Sequence, residues 1–143
     1  MPDKETVQIR LSGVANGDRS ELSAIGELYR KAGSLFLHYT EEDNQNGRVT
    51  SIIKISPDGV LRIKRHGAIE TDLTHIAGQK TRGTVRTGAA VLYLDIFTEA
   101  MDNQLLAGFG TFAWTYALQA NDQHIGAFHL ALNIAPLTLP HND

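Results

Sequence analysis

The chain contains no cysteine. That excludes disulfide scaffolds, thiolate-ligated zinc or iron–sulfur sites, and thiol catalysis. It also lacks an excess of positive charge: the formal net charge is −3 and the pI about 6.0, so bulk charge does not drive nucleic-acid binding. No stretch approaches the roughly 18 apolar residues of a membrane-spanning helix. The first residues, Met-Pro-Asp-Lys-Glu-Thr, show no basic region followed by an apolar run, so no signal peptide is read there and a soluble, cytoplasmic protein is expected. What is present is ordinary globular composition, 42% hydrophobic and 20% charged over 143 residues. This suits one domain large enough to bury a core without a metal or disulfide.

Charge is unevenly distributed. Arg62, Lys64, Arg65, Lys80, Arg82 and Arg86 form a basic band interrupted by Glu70 and Asp72. After Arg86 there is no lysine or arginine, while Asp95, Glu99, Asp102, Asp122 and Asp143 follow. The band reads as a solvated face, an anion site, or half of a self-complementary surface.

Hydrophobic residues recur with period two along most of the chain, the signature of half-buried strands. Val7, Ile9 and Leu11 alternate before Asn16-Gly17-Asp18; Leu35, Leu37 and Tyr39 share a face before the hairpin signal Asn46-Gly47. Val49, Ser51, Ile53 and Ile55 lead to the turn Pro57-Asp58-Gly59, and Leu61, Ile63 and Arg65 then alternate with Arg62, Lys64 and His66. Weaker runs cover 69–76 and 80–86. Val91, Tyr93, Asp95 and Phe97 oppose Leu92, Leu94 and Ile96; Phe112, Trp114, Tyr116 and Leu118 share a face, as do Phe128, Leu130, Leu132 and Ile134. Many strands joined by short turns imply an antiparallel meander, and closing it removes the edges. Residues 20–31 resist this reading. Leu22, Ile25, Leu28 and Tyr29 have helical spacing, Ser20 suits an N-cap and Gly33 a C-terminal stop, so local pattern favours a helix there.

The order of motifs over residues 5–135 resembles the uncharacterised bacterial YwiB-like family. The matching residues include Ser12-Gly13, Glu27-Leu28-Tyr29-Arg30-Lys31, Phe36-Leu37-His38-Tyr39-Thr40-Glu41, Thr50-Ser51-Ile52-Ile53-Lys54, Lys64-Arg65-His66-Gly67, Thr87-Gly88, and the late run through Trp114, Tyr116 and Leu118. The resemblance implies a calycin-like (lipocalin-like) β-barrel, makes 21–31 a strand bent near Gly26, and brings no enzyme activity with it. The expected fold is therefore all-β, an antiparallel meander closed into a barrel of about eight to ten strands. It is one domain over residues 1–143, with an ordered core at about 5–136 and a short polar C-terminal tail. The Gly-x-Trp signature of lipocalins is absent, so their ligand chemistry does not follow.

No catalytic motif stands out. There is no Gly-x-Ser-x-Gly, His-Glu-x-x-His or phosphate loop, and Gly108-Phe109-Gly110 precedes a strand and reads as a bend. The histidines at 38, 66, 75, 124, 129 and 141 show no metal-ligand spacing; His124 and His129, five apart, fall on opposite faces of one strand, and His66 and His75 oppose each other across a hairpin with no carboxylate evident nearby. His129, between Ala127 and Ala131, reads as an outer-face residue, and Asp95 as a structural or rim carboxylate. Arg65 is the suggestive residue. If the face of Leu61 and Ile63 points inward, Arg65 does too and needs an anionic partner: Glu41 or a ligand, with Tyr39 on the same face as Glu41; the other reading is an arginine at the strand end with its stem packed and its head in water. A fully buried pair would make Arg65→Ala cost roughly 3–5 kcal/mol.

The functional expectation is a non-catalytic binding barrel, without metal or cofactor, for a small, partly apolar anionic ligand. Its candidate residues are Arg65, Tyr39, Glu41, Trp114, Tyr116 and Phe112. The alternative is a filled-barrel interaction protein acting through homo-oligomers or its basic band. That alternative rests on residues 91–97, apolar on both faces. A membrane is not an expected partner, and nucleic acid is disfavoured because aromatics within the basic band are sparse.

Overall fold

The computed structural model describes residues 3–43 and 47–137. Ten strands run in chain order: β1 (Asp3–Ala15), β2 (Asp18–Lys31), β3 (Ser34–Asp43), β4 (Gly47–Ile55), β5 (Val60–His66), β6 (Ile69–Ile76), β7 (Lys80–Thr87), β8 (Ala90–Leu106), β9 (Phe109–Ala120) and β10 (Gln123–Pro136). Each pairs antiparallel with its sequence neighbour, and β1 pairs with β10, closing the sheet into a barrel. The meander and closure expected from sequence are present. The hairpin signal at Asn46 and the polar tail beyond 137 lie outside the described residues.

The turn chemistry accounts for the tight connections. Asn16-Gly17, Ala32-Gly33, Ala107-Gly108 and Asn121-Asp122 all have both residues at positive φ, from 52° to 90°. Two consecutive left-handed residues make the turn whose twist matches that of the flanking strands. Gly108-Phe109-Gly110 is thus the β8 to β9 turn and the start of β9.

Residues 20–31 form a strand, not the helix favoured by local spacing. Leu22, Ala24, Gly26 and Leu28 turn inward with period two, leaving Ile25 63% exposed. Two features decide it. β2 is hydrogen-bonded along its length to β1, and Gly26 meets β3 where a Cβ would lie 2.6 Å from both the His38 carbonyl oxygen and Ile9 Cδ1. Tertiary pairing here outweighs a helical preference of a few tenths of a kilocalorie per residue.

One end of the barrel is packed. Ile9, Leu28, Leu61, Ile96, Leu132 and Ile134 are each at most 2% exposed and belong to one continuous core. Across it runs an aromatic cluster: Phe112 lies 5.8 Å from Trp114, His75 lies 4.5 Å edge-on to Tyr116, and Tyr116 stacks on Phe128 at 5.0 Å. The other end, at the β1 to β2 and β5 to β6 connections, is open.

Candidate functional site

The open end holds a cavity of about 320 Å³. Its walls are largely aliphatic: Leu11, Leu22, Ile53, Ile63, Leu73 and Leu130, with Trp114 and Tyr116 contributing aromatic surface. Tyr39, Glu41, Arg65 and Thr71 gather the polar groups on one side.

Strand register explains that gathering. Tyr39 pairs with Ser51, Ser51 with Arg65 and Arg65 with Thr71, so these four occupy one row across β3 to β6. All have the same parity as the buried Leu37, Ile53 and Leu61 and therefore point inward. Glu41 lies one step nearer the mouth, opposite Val49. From there its Oε1 accepts a 2.5 Å hydrogen bond from Arg65 Nη2.

Of the six residues expected from sequence, the fold brings Arg65, Tyr39, Glu41, Trp114 and Tyr116 around one cavity. Phe112 does not line it; it packs against Trp114 on the core side. Arg65 does face inward and does meet Glu41, but at the rim. Its side chain is 45% exposed and that of Glu41 20%. The buried-pair expectation of several kilocalories is corrected accordingly: water reaches both groups, and the pair is worth about 1 kcal/mol.

Burial raises the pKa of the Tyr39 hydroxyl; Glu41 adds to the rise, and Ser51 and Arg65 oppose it. Burial alone pushes the Tyr116 hydroxyl up to about 12. Both phenols stay neutral and able to donate a hydrogen bond across the physiological range. Ser51 lies close enough to Tyr39 to influence it, yet its Oγ makes no hydrogen bond of normal geometry.

The histidine readings resolve case by case. His75 is buried, with Nδ1 3.0 Å from Thr98 Oγ1 and Nε2 unpartnered, and burial lowers its pKa to about 4. It pairs with Leu61 across the hairpin, not with His66. His66 instead contacts Glu70 at 2.9 Å, a carboxylate the sequence reading overlooked. His124 and His129 share the outer face because a bulge between His124 and Gly126 inserts one residue and reverses the parity. His129, exposed, lies 2.8 Å from Thr115 Oγ1. Asp95 is on the outer face of β8, beside Gln119. Among the described residues no three His, Asp or Glu side chains could hold a metal ion.

Sequence reading missed the remaining walls, Thr71 and Leu73 above all, because β6 alternates weakly. It also missed Ser51 as part of the polar row; a lone serine in the apolar stripe of Val49, Ile53 and Ile55 was the available signal.

Comparison with known proteins places this geometry in a family. Residues 5–132 match the family described as Domain of unknown function (DUF1934). A search of curated proteins finds no match. The structure is similar to the crystal structure of the YwiB protein from Bacillus subtilis, with a TM-score of 0.70 and 19% sequence identity over 91% of this chain and 92% of that one. At that identity the similarity establishes the shared barrel. No helix among the described residues is long and apolar enough to cross a membrane.

Proposed function

We propose, starting from the premise that this chain belongs to the DUF1934 family of domains of unknown function, that it is a non-catalytic binding barrel. It takes a small, partly apolar ligand bearing one anionic group into its mouth. The observation that carries this reading is a cavity of about 320 Å³ whose wall is aliphatic and aromatic except for the cluster around Arg65. That volume lies at the lower end of the range of small-molecule sites, which pair an apolar surface with a few placed polar groups.

The chemistry assigns each residue a part. Arg65 presents a planar fork of donors that suits a carboxylate or phosphate oxygen pair. Thr71, next to it in the row, and Tyr39, on the far side of Ser51, supply hydroxyls to the same group. Leu22, Leu130 and the Trp114 face receive the apolar body. Glu41 neutralises Arg65 while the cavity is empty, so an incoming anion exchanges with an internal carboxylate and the guanidinium is not left unpaired. Glu41 is thereby a competitor of the ligand.

That exchange sets the test. The probe is 8-anilinonaphthalene-1-sulfonate, an anionic aromatic fluorophore, with native mass spectrometry of freshly purified protein in parallel. Arg65→Ala weakens probe binding by about tenfold or more, the loss of one charge-assisted contact worth roughly 1.5–3 kcal/mol. Glu41→Gln strengthens it, because the competing charge is gone. An adduct carried from cells and lost in Arg65→Ala supports the same site and reports the ligand's mass. Probe affinity unmoved by both substitutions, with no adduct in the native spectrum, overturns the reading.

A further inference from the structure

The outer surface carries a second arrangement that the mouth does not use. The outward residues of β7 are Lys80, Arg82, Thr84 and Arg86. Register sets each beside an outward residue of β8: Lys80 by Phe97, Arg82 by Asp95, Thr84 by Tyr93 and Arg86 by Val91. Cations and aromatic rings thus alternate across two strands and not along one. Tyr93 is 59% exposed and Phe97 45%, and the Arg82 guanidinium lies 5.8 Å from the Tyr93 ring centroid. Beside Phe97 is a hollow of about 220 Å³, lined also by Lys80, Asp95, Ala117 and Gln119. Asp95 and Gln119 are cross-strand partners, so a carboxylate and an amide stand side by side in its wall.

The charge on this face is unbalanced. Arg62 is held by Asp72 at 3.0 Å and His66 by Glu70 at 2.9 Å. Among the described residues, Lys64, Lys80, Arg82 and Arg86 have no ion-pair partner. A second copy of this chain is a poor occupant: a two-fold axis through the patch sets Lys80, Arg82 and Arg86 of both copies against one another, and the carboxylates beside them, Asp95 next to Arg82 and Glu70 next to Arg86, leave both copies net positive there. An anionic lipid surface would answer the cations, but it repels Asp95 and leaves the amide unused. A nucleic-acid strand with unpaired bases answers every feature. Its phosphates meet the cations, its bases stack on exposed rings, and its base edges offer N–H donors to Asp95 and both donors and acceptors to Gln119.

We propose that the outer β7–β8 face binds single-stranded nucleic acid, with one base in the hollow against Phe97 and another on Tyr93. The two rings lie four residues apart on one strand face, about 13 Å, so they receive separate bases. The interleaving escaped the sequence because both aromatics follow the last cation, and only the β7 to β8 hairpin folds them back beside it.

The test is fluorescence anisotropy with a short fluorescein-labelled single-stranded RNA of mixed sequence, at low salt. The comparators are the same sequence as a duplex, and heparin, a polyanion without bases. The single strand binds and the duplex binds more weakly. Phe97→Ala and Tyr93→Ala, both surface changes, each weaken binding about five- to hundredfold, the range for loss of one stacked base. The logarithmic salt slope is near −2 for three phosphate contacts, from Lys80, Arg82 and Arg86, and shrinks by about two-thirds in Arg82→Ala/Arg86→Ala. Arg65→Ala leaves RNA affinity unchanged, which separates this face from the mouth. Absence of binding overturns the proposal. So does equal binding of heparin that is insensitive to Phe97→Ala, or a dimer in sedimentation that Phe97→Arg dissociates.

Discussion

His75 shows what a single buried titratable group does to the molecule. It is 0% exposed, and burial lowers its pKa from 6.5 to about 4. The unfolded chain therefore takes up a proton near pH 6.5 that the folded barrel refuses until about pH 4, and acid favours the unfolded state. Stability is complete above the upper value and falls through the window by an amount on the order of 3 kcal/mol. His75→Leu removes this dependence. At neutral pH the variant is the less stable protein, by about 1–3 kcal/mol, because Thr98 Oγ1 loses its partner. Near pH 4.5 the gap closes. Urea midpoints of both proteins at the two pH values check this; a parallel decline would show that His75 is not the titrating group.

At the scale of the element, β2 is held by β1 along its length and by β3 over residues 26–31, against its own spacing. Its inward stripe of Leu22, Ala24, Gly26 and Leu28 faces the core, while Ile25 stands in solvent. The two arrangements make opposite demands on neighbouring residues. In the barrel, Ile25→Lys changes stability by less than about 0.5 kcal/mol, as at an ordinary surface site, whereas Leu28→Ala costs about 2–5 kcal/mol. Gly26→Ala drives a methyl into the His38 carbonyl and costs about 1–3 kcal/mol, despite improving helix propensity. Chemical denaturation of the three variants separates them, and a stabilising Gly26→Ala would contradict the close approach of β2 and β3.

For the whole molecule, closure is the governing fact. β1 pairs with β10 over nine residue pairs from Val7 to Ala15, joining the two ends of the described chain. That seam closes the sheet, so neither the first nor the last strand is left as a free edge for another chain to pair with. It also makes folding depend on the most distant contacts in the sequence, whose loop closure must be met before they contribute. The single tryptophan, Trp114, is 1% exposed and sits between the packed end and the cavity, where it reports on both. Its fluorescence and far-UV circular dichroism should follow one urea transition, since neither half of a closed barrel retains its sheet alone. Separate transitions would mean that the packed end survives opening of the mouth.

Much of this architecture is local and therefore legible in the residues themselves. Period-two alternation marked most of the strands, Asn16-Gly17-Asp18 and Pro57-Asp58-Gly59 marked turns between them, and parity placed Arg65 on the same face as Leu61 and Ile63. Other features belong to the tertiary structure alone. The rim position of the Arg65–Glu41 pair, the common face of His124 and His129, and the placing of Tyr93 and Phe97 beside the β7 cations follow from cross-strand register and one bulge, whereas Glu41 as the partner of Arg65 was read from parity and the strand over residues 21–31 from the family resemblance, against its local spacing. The physical reason is that alternation and turn geometry are set within a few residues along the chain. Which residues stand side by side, and how near the rim they lie, is set by hydrogen-bonded pairing with other strands, and a single inserted residue reverses it.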